Sequence, residues 1–189
     1  MASNTLIKFF DGEYIMCTVI QKVFDNNKDI IRTRRENSSR SKWTGSVNEE
    51  VKGWDNTDKG DLGELTTRDM LKTLDYKSEI VNGGIGEFDI ILETPNTTLR
   101  LEHKLATEDT KGGFQFNGIK KDVNYDYVFA MGVSPNELCF TILSKEEAQR
   151  TLTTMMSKDV EGSYKYSVTK SKMIEYTQEN FKREIEKIV

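Results

Sequence analysis

Two carboxylates and a lysine are the residues whose types and spacing best suit chemistry. Asp89 is followed, after twelve intervening residues, by Glu102-His103-Lys104. Between them Pro95-Asn96 is a turn dipeptide, and the runs on either side alternate apolar and polar residues as strands do. With Pro95 and Asn96 as the loop, Leu92 faces Leu99, Ile90 faces Leu101, Asp89 faces Glu102 and Glu87 faces Lys104. Phe88, Ile90, Leu92, Leu99, Leu101 and His103 then share one face, the core side. Glu87, Asp89, Glu93, Arg100, Glu102 and Lys104 share the other. A type I connection of two residues is not the favoured hairpin turn, but an odd slip would carry the apolar set out of the core.

Like charges directly opposite one another destabilise a strand pair, so Asp89 against Glu102 calls for a reason. A hard divalent cation between them supplies one, because such ions take carboxylate oxygens and keep positions open for phosphate and water. Lys104 projects to the same place, where an ammonium can neutralise charge on a phosphoryl group or orient a water. The same spacing also describes a solvated strand face stitched by Glu87–Lys104 and Glu102–Arg100 pairs.

These strands need elements to hold them. Asp11 is a candidate cap for a helix over 12–25, with Ile15, Val19, Val23 and Phe24 on one side. A polar, basic stretch over 26–58 reads as a linker or loop-rich arm. Leu62, Leu65, Met70, Leu71 and Leu74 then predict a helix over 61–76, and strands follow over 78–82, 85–93 and 98–106. Residues 111–122 read as a short helix weakened by Gly112, Gly113 and Gly118, with Gln115 on it. Strands over 127–133 and 138–143 come next. Ser144 and Glu147 form a capping-box pair for a helix reaching about 156, followed by a strand over 164–168 and a closing helix over 177–188. The order helix, three strands, helix, strand predicts an α/β domain with a mixed central sheet flanked by helices. Residues 60–189 are expected to form that domain, and residues 1–59 an N-terminal helix and basic arm free to contact a partner or a second copy.

The chain has 189 residues, enough for one domain with an appended arm. It carries 27 Lys and Arg against 31 Asp and Glu. No apolar run approaches the roughly 20 residues a bilayer crossing needs, and no signal-peptide pattern opens the chain, so no membrane association and a cytoplasmic location are expected. Cys17 and Cys139 are too few for a disulfide framework or a cysteine zinc site and read as buried thiols. The lone histidine, His103, leaves the histidine-rich constellations unsupported. One stretch reverses the acidic balance. Lys28, Arg32, Arg34, Arg35, Arg40 and Lys42 stand against only Asp29 and Glu36, making residues 28–43 +4 in a chain of −4. Such a cluster can bind phosphates or remain a solvated loop.

Asp89 with Glu102-His103-Lys104 resembles the D…(D/E)-x-K signature of the PD-(D/E)XK, or restriction-endonuclease-like, nucleases. The element order over 60–133 resembles that family's core, and Gly60-Asp61-Leu62-Gly63-Glu64 resembles the start of its first helix, which often carries a glutamate after a glycine. Phe114-Gln115-Phe116-Asn117-Gly118-Ile119, before Tyr125-Asp126-Tyr127, is similar to stretches in small type II restriction enzymes. Phe88 stands where the family name has proline. The resemblance implies a Mg²⁺-dependent (or Mn²⁺-dependent) endonuclease hydrolysing double-stranded DNA, working as a homodimer. Asp89, Glu102 and the His103 backbone carbonyl would bind the ion. Lys104 would assist the attacking water, Glu64 would hold a second ion or its water, and Gln115 would lie near the phosphate. Arg32, Arg34, Arg35, Arg40 and Lys42 are then the expected DNA contacts. A structure-selective nuclease such as a Holliday-junction resolvase, and a catalytically silent nucleic-acid-binding module, are the alternatives.

Overall fold

A computed structural model gives the arrangement of residues 21, 23–31, 33, 41–81, 88–154 and 162–189. The chain divides into two units, Met1–Ser41 and Lys42–Val189. In the first, residues 23–31 form a helix, α1, which takes in the end of the expected helix over 12–25 and runs on into the stretch from 26 whose polarity suggested a linker. Val23 and Ile30, and Phe24 and Ile31, are spaced seven apart and give α1 one apolar side; all four are exposed. Residues 12–20 of the helix expected over 12–25 fall outside the described residues.

The second unit begins earlier than the polarity of the arm suggested. Trp43 and Val51 are buried and pack with Val133, so residues 42–59 belong to this unit. Val51 lies on a short helix, α2 (Glu49–Gly53). The main helix, α3 (Asn56–Thr73), starts before Gly60 because Asp55 caps it, its side chain accepting from the Asp58 N–H.

Five strands and a short sixth, β1 (Lys77–Ile80), β2 (Ile90–Glu93), β3 (Thr98–Thr107), β5 (Tyr127–Val133), β6 (Leu138–Ser144) and β9 (Ile174–Glu175), make one sheet in the order β1-β2-β3-β5-β6-β9. The β2–β3 register matches the sequence expectation, with Ile90 opposite Leu101 and Leu92 opposite Leu99. β3 and β5 run parallel and the other neighbours antiparallel, so the sheet is mixed.

Residues 111–122 are not a helix. They contain β4 (Gly113–Lys120), which joins β8 (Ser163–Thr169) and β7 (Thr153–Thr154) in a second sheet of order β4-β8-β7. Phe114 and Phe116 alternate with Gln115 and Asn117, the period of a strand, and this outweighs the glycines that suggested a frayed helix. A bulge between Phe116 and Ile119 contains Gly118 at φ 78°, a left-handed conformation that glycine adopts without strain. The crossover between the parallel strands β3 and β5 therefore passes through a strand.

The two faces of the large sheet bury separate clusters. Leu71 of α3 and Phe181 and Ile185 of α5 (Gln178–Ile185) pack on Ile90, Leu92, Leu101, Phe129 and Phe140. On the other face Ala106, Val128 and Ala130 meet Phe114, Phe116 and Ile119 of β4 and Ala148 of α4 (Lys145–Thr151). The capping box of Ser144 and Glu147 opens α4 as expected. Phe88, expected with the first cluster, packs on the second, because the chain bends at residues 88–89 before β2 begins.

Candidate active site

β3 delivers Glu102 and Lys104 to one face by alternation, and Asp89 joins them from the bend that leads into β2. Backbone bonds set that bend, with the Asp89 N–H donating to the Leu101 carbonyl at 2.9 Å. The Asp89 Oδ2 in turn accepts from the His103 N–H at 2.7 Å. The Lys104 Nζ lies 2.7 Å from Glu102 Oε1 and 3.5 Å from Asp89 Oδ2. One ammonium thus bridges the two carboxylates, although the paired register ends at Ile90 opposite Leu101 and Asp89 reaches Lys104 from the bend rather than from a strand position opposite Glu102.

Glu64 comes to them from α3. Burial, with the charge of Asp89 next, raises its carboxyl from the ordinary range to about 7. Glu102 is 8% exposed, and burial raises its proton affinity against the pull of Lys104. Burial pulls the Lys104 ammonium down, but Glu102 and Asp89 outweigh it and its pKa is raised. When all three carboxylates are ionised, they exceed the one ammonium by two negative charges, the charge of one divalent cation. Their oxygens are the hard donors that Mg²⁺ prefers, so donor type and charge both fit the ion. As the side chains stand, no three His, Cys, Asp or Glu among the described residues converge as a ready ligand set, and Lys104 takes the bridging role.

The His103 imidazole is not part of this set. It is 2% exposed, stacks on Phe129 with ring centroids 5.5 Å apart, and has no hydrogen-bond partner at either nitrogen among the described residues. Burial, with Lys104 second, lowers its pKa to about 3, so it is neutral.

Glu64 and Lys104 open into a cleft of about 430 Å³ between the first half of α3, the second half of β3, and β4. Asn56 and Lys59 of α3 and Gln115 and Asn117 of β4 also line it.

No protein-family model and no curated protein sequence matches the chain. Among solved structures it is similar to a bacterial homing endonuclease, I-Ssp6803I, at 9% identity and a TM-score of 0.46, over 67% of this chain and 86% of that one. It is also similar to a Holliday junction resolvase from Archaeoglobus fulgidus, at 15% identity and a TM-score of 0.40, over 62% of this chain and 92% of the other.

The remaining sequence expectations divide. Gln115 borders the cleft, but on β4 rather than on the expected helix, exposed and donating to Asn117 Oδ1 at 2.9 Å. Arg32, Arg34, Arg35, Arg40 and Glu87 fall outside the described residues. Lys42 belongs to the second unit, where its ammonium meets Glu108 Oε1 at 2.8 Å and the Asp109 carbonyl at 2.7 Å. That pairing makes Lys42 a clamp on the loop after β3. Arg100 forms a bidentate pair with Asp126 at 2.8–2.9 Å. Cys139 is buried, and burial raises its thiol to about 12; Cys17 lies outside the described residues. Sequence reasoning missed Asn117, Asn56 and Lys59. The Phe-Gln-Phe-Asn alternation could have exposed the first, since it puts Asn117 beside Gln115; nothing local marks the other two.

Among the described residues no helix is long and apolar enough to cross a membrane.

Proposed function

We propose that this protein is a Mg²⁺-dependent endonuclease that hydrolyses phosphodiester bonds of double-stranded DNA in the manner of a restriction enzyme. The observation that carries the reading is the bridging of Asp89 and Glu102 by Lys104, which with Glu64 lines a polar cleft. Asp89 and Glu102, with the His103 backbone carbonyl, would hold the ion, and Glu64 completes the acidic set. When bound, Mg²⁺ (or Mn²⁺) supplies positive charge that polarises the phosphoryl group and draws water to the site.

The chain's own residues do the rest. Lys104 stays protonated between its two carboxylates and presents its remaining N–H bonds to the phosphoryl oxygens, where negative charge grows as water attacks. Its ammonium and the Glu64 carboxylate fix that water on one side of the phosphorus. The water oxygen forms a bond to phosphorus and gives up a proton to solvent as a phosphorus–ester oxygen bond breaks, and the departing oxygen takes a proton from solvent. Asp89, anchored by the His103 N–H, keeps Lys104 from swinging into the open cleft.

The active form is a homodimer, one copy for each strand. The exposed apolar side of α1, with Val23, Phe24, Ile30 and Ile31, supports a contact there between copies. The acidic net charge calls for a local positive surface toward DNA, and Arg32, Arg34, Arg35 and Arg40 supply the densest one in the sequence.

The deciding experiment is digestion of mixed linear duplex with and without Mg²⁺, followed by sequencing of the ends. Discrete ends that require Mg²⁺ and vanish with Lys104→Ala support the assignment. Cutting confined to four-way junctions makes the protein a resolvase instead. No Mg²⁺-dependent cleavage of either substrate leaves a binding module.

A further inference from the structure

The second sheet presents an outer face that the chemistry above leaves unused. Its strands β4, β7 and β8 contain no Asp or Glu, in a chain that has 31. Phe114, Phe116 and Ile119 are buried on the inner face, so alternation turns Gln115 and Asn117 outward, and both are exposed. The register sets Gln115 opposite Ser167 and Lys120 opposite Ser163 on β8. Lys165 lies two residues from Ser167, opposite Thr153 of β7, on the same side. Among the described residues of these strands the outer face therefore carries amides, hydroxyls and lysines, with Ser163 itself buried at its margin. The nearest acid in the loop before β4, Asp109, turns its Oδ1 onto the N–H groups of Lys111 and Gly113 at 2.7 Å and 2.9 Å.

This face adjoins the reactive groups, because Gln115 and Asn117 line the same cleft as Glu64 and Lys104. The Gln115 Nε2 to Asn117 Oδ1 bond of 2.9 Å holds the two amides side by side, and between them they still offer donors and acceptors. A carboxamide pairs in bidentate fashion with adenine N6 and N7, and the major groove admits a two-stranded ribbon.

We propose that the outer face of β4 and β8 docks in the major groove of duplex DNA beside the cut, with Gln115 and Asn117 reading an adenine edge and Lys120 and Lys165 holding the flanking phosphates. This rests on the nuclease reading and adds the surface and the base that it recognises.

The test uses the full chain with cleavage blocked by Lys104→Ala, and a pool of duplexes with a randomised central segment. Sequencing the bound fraction should show enrichment of an A·T pair at a fixed position. Adding Gln115→Ala and Asn117→Ala should lower that preference about 5- to 150-fold, with the thermal melt unchanged. Gln115→Glu, of the same shape, should do the same by placing a carboxylate in the groove. Adding Lys120→Ala and Lys165→Ala should leave the preference and reduce the slope of log affinity against log salt by roughly 0.9 for each phosphate no longer neutralised. If the unsubstituted protein cuts duplex with Mg²⁺ while these variants change neither the preference nor the slope, this docking face is wrong and the nuclease assignment stands. If it neither cuts nor binds duplex, both fall.

Discussion

A Cβ added to Gly63 of α3 would lie 2.2 Å from Cε1 of His103 on β3. The helix and the sheet therefore meet with a flat ring on one side and a bare backbone on the other. Glu64 is the next residue along α3, so this contact sets how near its carboxylate comes to Lys104 and Asp89. The lone histidine serves the site as a spacer.

Gly63→Ala should push α3 outward and cost about 1–3 kcal/mol, as overpacking does, or roughly 2–4 °C of Tm for each kcal/mol in a unit of this size. Cleavage should fall further than the loss of stability explains, because Glu64 retreats with the helix. His103→Ala opens the space, so the double variant should lose less than the two single variants combined. Melting and cleavage of all four proteins form the cycle. Strict additivity would separate the packing of Gly63 on His103 from the position of Glu64.

Lys104→Ala removes the ammonium 2.7 Å from Glu102 and leaves two facing carboxylates uncompensated. DNA cleavage should drop on the order of 100- to 1000-fold. In EDTA the variant should melt below the wild type, and Mg²⁺ should raise its Tm more than that of the wild type, since an ion that binds only the folded form stabilises it. Asp89→Asn should melt slightly above the wild type in EDTA and lose most of the Mg²⁺ effect. Equal Mg²⁺ shifts in wild type and Asp89→Asn would remove Asp89 from the ion's ligands.

The raised carboxyl of Glu64 has a pH signature. Between the ordinary 4.5 and about 7 the folded protein keeps a proton that the unfolded chain has released. Its contribution to stability is thus fully present below about pH 4.5 and is lost as pH rises through about 7; the raised carboxyl of Glu102 acts in the same direction. Glu64→Gln lacks this loss. In EDTA above pH 7 it should exceed the wild type by roughly 1 kcal/mol, a value reduced for solvent screening of a half-exposed group, or about 2–4 °C. Melts from about pH 5 to about pH 8 measure the divergence, and parallel curves would contradict it.

Residues 28–43 are +4 while the whole chain is −4, so DNA affinity should lean on that stretch. Replacing Arg34 and Arg35 with Ala should weaken duplex binding and lower the salt slope by roughly 0.9 for each phosphate the pair had neutralised. Lys42→Ala should act differently. It loosens the loop held through Glu108, and so should lower Tm with little change in salt slope. Titrations of the Lys104→Ala background across a salt series distinguish the two effects.

The hairpin was legible from sequence because it is local. Two alternating runs around Pro95-Asn96 admit one register that buries Ile90, Leu92, Leu99 and Leu101 together, and side-chain period alone then puts Glu102 and Lys104 on one face. Local chemistry also marked the capping box at Ser144. Other features depended on what lies across space. Gln115 sits on a strand because Phe114 and Phe116 find the inner face of the large sheet, a partner that no window of sequence contains. Trp43 and Val51 read as part of a polar arm until Val133 covers them. Lys42 counted as a free positive charge until Glu108, 66 residues away, pairs with it. The approach of Glu64 to Asp89 rests on Gly63 meeting His103, a fit between a helix and a strand 40 residues apart. Periodicity and turn chemistry act within a few residues and are written in the chain; burial and charge pairing depend on distance in space, which only the folded structure supplies.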